Sequence, residues 1–258
     1  MTPAVGLPAE LAARIAGWQR AAGRPLLVGL SGAQGSGKST VAAGIAAALA
    51  ADGLATAILG LDDVYLTRAD RLALAERVHP LLATRGPPGT HDLDLAHEVL
   101  DALLAGRSVA VPRFDKPADD RAPVADWPVV EAPAVVLFEG WCVGARPLAD
   151  WSAPINALEA EEDSDGRWRA HVAASLAGRY AALWERLDRL ILLQAPDWPT
   201  VCGWRAEQEE RSNAGSMDAA ALARFMMHYE RLTRAILAAP PAADLAIMLD
   251  AGRRQIVI

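Results

Sequence analysis

Lysine is nearly missing from this chain. Of its 25 basic residues only Lys38 and Lys116 are lysine, and all the others are arginine. Where arginine has taken almost every basic position, a surviving lysine marks a place for a compact, flexible point charge that a guanidinium fork does not replace. Cysteine is equally scarce. Cys142 and Cys202 form no CxxC pair and have no histidine at zinc-ligand spacing. That argues against a disulfide framework or a zinc knuckle, and a reducing compartment, the cytoplasm, is expected. No run approaches the roughly 20 apolar residues of a membrane-spanning helix. The longest candidate, Val41 to Ala51, is alanine-rich and stops at Asp52. The N-terminal stretch lacks the basic start and dense apolar core of a signal peptide. Positive charge is short as well: 25 Lys and Arg against 32 Asp and Glu leave a formal charge of −7. Bulk nucleic acid and membrane surfaces are therefore not expected partners, and an anionic ligand must be held by a local cluster of donors.

What is present is a core-forming composition, 52% hydrophobic and 22% charged, in 258 residues. The chain reads as strands alternating with helices. Helices are expected over 8–22, 38–51, 70–83, 93–105, up to about 186, 200–211 and 218–238. Apolar runs of strand length occupy 26–30, 56–61, 134–138, 190–193 and 245–249, with a short strand at 108–111. Residues 112–133, rich in proline and aspartate, read as loop, and the acidic run 159–166 as a solvated surface loop. Continuous apolar strands separated by helices predict a mainly parallel sheet covered on both faces.

The chemistry begins at Gly32-Ala33-Gln34-Gly35-Ser36-Gly37-Lys38-Ser39, which fits GxxxxGK[ST] between an apolar strand and a helix. Glycines let backbone N–H groups curl around phosphate oxygens, and the helix start that includes Thr40 adds partial positive charge. Lys38 is expected at the β and γ phosphates and Ser39 on Mg2+. Glu139, at the tip of VVLFE, is the expected partner for that ion. Asp62-Asp63 end the next strand, where parallel sheets gather their ligands. An aspartate there can take the proton of an attacking hydroxyl, with Asp62 preferred and Asp63 the alternative. No Asn/Thr-Lys-x-Asp element for guanine occurs, so ATP is the expected nucleotide. Two loop clusters supply acceptor-side candidates: Arg85, Thr90, His91 and Asp92 in RGPPGTHD, and Arg113, Asp115 and Lys116 in PRFDK, with Tyr65 nearby. Arginine or lysine clamps a carboxylate, while aspartate or histidine accepts from hydroxyls. Phe114 is the lone aromatic of those two loops, which favours a small polar acid over a nucleoside base. Arg205 and Arg211 follow a Pro/Trp turn, where a lid arginine can reach transferring phosphate. An ordinary helix-face pair, Glu207–Arg211, is the competing reading.

Taken in order, GLSGAQGSGKST, LDDVYLT, RGPPGTHDLDL, VPRFDKPADDR, VVLFEGWCVG and PDWPTVCGWRAEQEER resemble the D-glycerate 3-kinase family. That family stands with the phosphoribulokinase, uridine kinase and pantothenate kinase group of P-loop kinases. The resemblance runs from about residue 26 to 235. It implies a P-loop α/β/α three-layer sandwich with helical and loop insertions and a lid, read as one domain over 1–258. The acceptor-side insertion would lie at about 66–130 and the lid at about 196–217. It also implies MgATP-dependent phosphorylation of a small hydroxylated molecule, D-glycerate foremost, with Asp62 as base and Glu139 as strand-end acid. Alternatives are a sister kinase acting on a nucleoside, pantothenate or a sugar phosphate, and an ATP-binding regulator that transfers nothing. The chain departs from the family pattern at Ala33, at Val64 and over 150–168.

Overall fold

The computed structural model describes residues 6–211 and 217–256. After helix α1 (Leu7–Ala22) come strand β1 (Leu26–Gly32), helix α2 (Lys38–Ala51) and strand β2 (Thr56–Gly60). Helices α3 (Arg68–Arg77) and α4 (Leu93–Leu104) follow. Four two-residue strands come next: β3 (Val109–Ala110), β4 (Phe114–Asp115), β5 (Asp120–Arg121) and β6 (Val129–Val130). Then come β7 (Val135–Gly140), α5 (Ala157–Glu162), α6 (Arg167–Ser175) and α7 (Ala181–Trp184). The described chain finishes with β8 (Arg189–Gln194), α8 (Trp198–Arg211), α9 (Ala219–Ala238) and β9 (Leu245–Met248).

The central sheet runs β2-β7-β1-β8-β9, and every pairing in it is parallel. Alternation along the strands divides the core into two layers. Leu26, Val28 and Leu30 of β1 face α1 and α2, as do Val135 and Leu137 of β7. Leu27 of β1 and Val136 and Phe138 of β7 pack with α4 and α7 on the other side. The result is the three-layer α/β/α sandwich expected. No helix among the described residues is long and apolar enough to cross a membrane.

Three expectations are corrected. The helix read over 70–83 breaks: α3 ends at Arg77, His79 is extended, and Pro80–Ala83 form a 3-10 turn. Proline at 80 disfavours a helical residue before it. The helix read up to about 186 is interrupted by a π-helical turn, Leu176–Tyr180. The acidic run is not a solvated loop. Glu159 and Asp163 are fully buried, the first in α5 and the second just after it. Arg231 Nε holds Glu159 at 2.9 Å, and Arg169 Nε holds Asp163 at 2.9 Å. Buried carboxylates persist because each meets a guanidinium and backbone N–H groups.

Candidate active site

Parallel registration brings the functional strand ends together. Glu139 lies opposite Leu30 of β1 on one side and Gly60 of β2 on the other, so the loops after β1, β2 and β7 share one edge. The loop after β1 takes its shape from glycine: φ is +69° at Gly35 and +86° at Gly37. A Cβ on Gly35 would also lie 2.6–2.7 Å from the backbone and Cβ of Trp204 in α8. Lys38 opens α2, so the N–H groups of Lys38, Ser39 and Thr40 have no acceptor within the helix. The Gln34 amide and Ser36 hydroxyl are buried in this loop without a protein partner. Unpaired buried donors at a helix start fit an anionic phosphate. Ser39 Oγ donates to Glu139 Oε1 at 2.7 Å. A hydroxyl and a carboxylate at that separation, both hard oxygen donors, fit Mg2+.

The two aspartates, in a 3-10 turn over Leu61–Val64, do different work. Asp62 accepts from Tyr65 Oη at 2.7 Å and from Lys116 Nζ at 2.8 Å. Burial pushes its pKa up, but the charges of Lys116 and Lys38 outweigh that and hold the carboxyl below its ordinary range, hence ionised. Asp63 turns to the loop before β4, accepting from Phe114 N at 3.3 Å and Arg113 at 3.4 Å. Burial raises its pKa against the pull of Arg113. Both lysines of the chain thus act on one carboxylate.

Tyr65 is itself fixed. Its ring stacks on His91 at 4.6 Å and meets Phe114 edge-on at 5.1 Å. His91 is buried, and its Nδ1 faces the hydroxyl of Tyr180, which the π-helical turn supplies and which also accepts from Gly89 N. Burial lowers the pKa of His91 to about 3, so the ring is neutral. Its Nε2 is buried without a protein partner.

Other acceptor-side expectations change. Thr90 is fully buried, and its hydroxyl closes the RGPPG turn through Gly86 N and Pro87 O. Asp92 caps α4 through Leu95 N and pairs with Arg121 at 3.0 Å. Asp115 accepts from Ala118 N within the hairpin turn. Thr90 and Asp92 thereby shape their loops, while Asp115 is exposed and spends one carboxylate oxygen on its turn. Arg85 pairs with Asp119 and lies over the Phe114 ring at 5.4 Å. The expected lid segment forms α8 up to Arg211, and residues 212–216 lie outside the described residues. Arg205 does not point free. It pairs with Glu209 at 2.6 Å, sits over Phe225 of α9, and its side chain is 16% exposed. Arg211 makes the ordinary helix-face pair with Glu207 at 3.4 Å.

Sequence reading missed the groups that hold this edge together. Arg71 of α3, fully buried, donates to Leu66 O, Ala83 O and Asp119 O and pairs with Asp119 at 2.6 Å. Its position three residues before buried Leu74 was the available signal. Tyr229 of α9 donates to Arg85 O at 3.0 Å and fills the space beside Gly86, where any Cβ would fall 1.9 Å from its hydroxyl oxygen.

The profile described as the phosphoribulokinase/uridine kinase family matches residues 27–145, from β1 through Glu139. An uncharacterized kinase of Schizosaccharomyces pombe is 33% identical over 80% of this chain and 79% of its own length. The chain belongs to the phosphoribulokinase/uridine kinase family of P-loop kinases. The chloroplastic D-glycerate 3-kinase of Arabidopsis thaliana is 30% identical over 90% of the chain, which spans about half (54%) of the plant protein. Among solved structures, the D-glycerate 3-kinase of Cryptococcus neoformans is similar at a TM-score of 0.75. It is 27% identical, with 98% of this chain and 96% of that one covered. Membership makes the chain a phosphotransferase of the P-loop kinase type.

Proposed function

We propose that this family member transfers the γ-phosphoryl group of MgATP to a hydroxyl of a small hydroxy acid, D-glycerate first among candidates. The observation that carries the reading is the Asp62 carboxylate, held ionised between Tyr65 and Lys116 on the sheet edge that also presents the Gly32–Ser39 loop. Phosphates would lie against the N–H groups at the start of α2, Lys38 to Thr40, with the Lys38 side chain beside the β and γ groups. Ser39 and Glu139 would hold Mg2+, which draws charge from the phosphate oxygens when bound.

Asp62 receives the acceptor's hydroxyl proton. The hydroxyl oxygen forms its bond to the γ phosphorus as the bond to the β–γ bridging oxygen breaks, and ADP carries away the electron pair. For this the hydroxyl must reach an Asp62 oxygen. Tyr65 is 2% exposed and fixed, whereas the Lys116 side chain is 54% exposed. Lys116 is therefore the partner that yields, and its ammonium stays beside the incoming acid. Arg113 and Arg85 add positive charge to the same loops. Around these residues the Tyr65 ring is already taken up by His91 on one side and Phe114 on another, which disfavours stacking of a base there. D-Glycerate, with one carboxylate and two hydroxyls, suits this set. The segment over about 66–130 serves the acceptor.

The test is ADP release with D-glycerate, uridine, pantothenate and ribulose 5-phosphate in parallel. D-Glycerate is expected to exceed the others in kcat/KM by at least tenfold. A preference for uridine would overturn the acceptor, and nucleotide binding with no transfer to any acceptor would favour a regulator.

A further inference from the structure

The turn after β9 reaches the phosphate-binding loop through one residue. Asp250–Arg254 close a tight turn by their own bonds: Asp250 N to Arg254 O, Arg253 N to Asp250 O, and Arg254 N to Asp250 Oδ1. At its crest Arg253 holds φ at +63°, a left-handed conformation that side-chain-bearing residues seldom keep without a compensating role. Its guanidinium uses all three nitrogens. Nε donates to Gly35 O at 2.6 Å, Nη1 to Glu207 at 2.8 Å and Nη2 to Trp204 O at 3.4 Å. The guanidinium carbon lies 5.1 Å from the Trp204 ring centroid, and Trp204 Nε1 returns a bond to Ala251 O at 2.7 Å.

The Gly35–Ser36 peptide is thereby pinned on both sides, because Ser36 N donates to Ala33 O at 3.2 Å while Arg253 holds the carbonyl. A peptide in this loop has a charge-relevant direction. If the carbonyl turned inward, its negative end would meet the phosphates that the loop's N–H groups attract. We propose that Arg253 is a positioning residue for the nucleotide: it fixes the Gly35 carbonyl outward and joins the loop to α8, so that nucleotide affinity depends on a turn 218 residues away. The side chain is 12% exposed and acts through Gly35. Its three-point fork is a task that lysine cannot perform. The inference rests on nucleotide binding at residues 32–39 and is independent of which acceptor is used.

Calorimetric titration with MgADP tests it without any transfer step. Arg253→Lys is expected to weaken MgADP at least tenfold and Glu207→Gln, which removes one arm of the fork's anchorage, about threefold. Both should raise the KM for ATP and leave the acceptor KM within twofold. If Arg253→Ala fails to fold, those two variants still decide the matter. MgADP affinity within twofold of the parent in Arg253→Lys would overturn the proposal, as would an equal rise in both KM values. A failure of D-glycerate as acceptor would leave the MgADP result standing.

Discussion

The phosphate loop and the acceptor-side loops sit on the same sheet edge but are held by different physics. The loop at 32–39 owes most of its shape to its own neighbourhood, two glycines at positive φ, a helix start and an adjoining strand, with Arg253 and Trp204 as its distant ties. The acceptor side is assembled from ion pairs between distant segments. Arg71 and Arg85 converge on Asp119, Arg121 reaches Asp92, and Lys116 and Arg113 dock on Asp62 and Asp63. Local geometry gives a rigid site for a constant ligand, the nucleotide. Cross-segment pairs give a site whose members can exchange partners when an acid arrives, as Lys116 must.

Lys38→Ala attacks the rigid side and carries the largest expected effect. Transfer should fall by at least about 10³-fold, since the β/γ charge loses its fixed cation, while thermal stability stays near that of the parent. Activity within tenfold of the parent would contradict the assignment of 32–39. Arg71→Met attacks the assembled side at its buried centre. Three backbone carbonyls lose a donor and Asp119 loses one of its two partners. The expected cost is about 2–4 kcal/mol in denaturant unfolding, with the acceptor KM rising and the ATP KM unchanged. Equal effects on both substrates would erase the contrast between the two regions.

Lys116→Ala is a subtler break. The acceptor KM should rise about tenfold, the consequence of losing a charged hydrogen bond worth about 1.5–3 kcal/mol. It should also move a pH limb. Burial already favours protonated Asp62, and Lys116 is the larger of two lysine charges opposing it. Without that charge the pKa of Asp62 rises, more of it is protonated at mildly acid pH, and the acid limb of kcat/KM shifts upward. A limb that stays in place while KM rises would separate Lys116 from the base.

The same contrast explains what could be read before the fold was known. Residues 32–39, Asp62 and Glu139 announce themselves because their chemistry is local: a glycine pattern between strand and helix, and carboxylates at the tips of apolar strands. The five strands of the sheet were legible for a related reason, continuous apolar runs. The acidic run at 159–166 was misleading because the partners that bury Glu159 and Asp163, above all Arg231 on α9, are defined only by the fold. The surroundings of His91 were not legible, since they include Tyr180, 89 residues later. Arg253 gave no signal at all, because an arginine pair in a surface turn is ordinary until the three partners of Arg253 are seen.

The central claim is that Asp62, and not its neighbour, takes the acceptor's proton. Asp62→Asn and Asp63→Asn compared in steady-state kinetics with saturating MgATP test this most directly. The account predicts that Asp62→Asn lowers kcat by about 10²–10⁴ with the ATP KM within a few-fold. Asp63→Asn, which loosens Arg113 and Phe114, should instead act mainly through the acceptor KM. The reverse pattern, with kcat lost in Asp63→Asn and kept in Asp62→Asn, would contradict it.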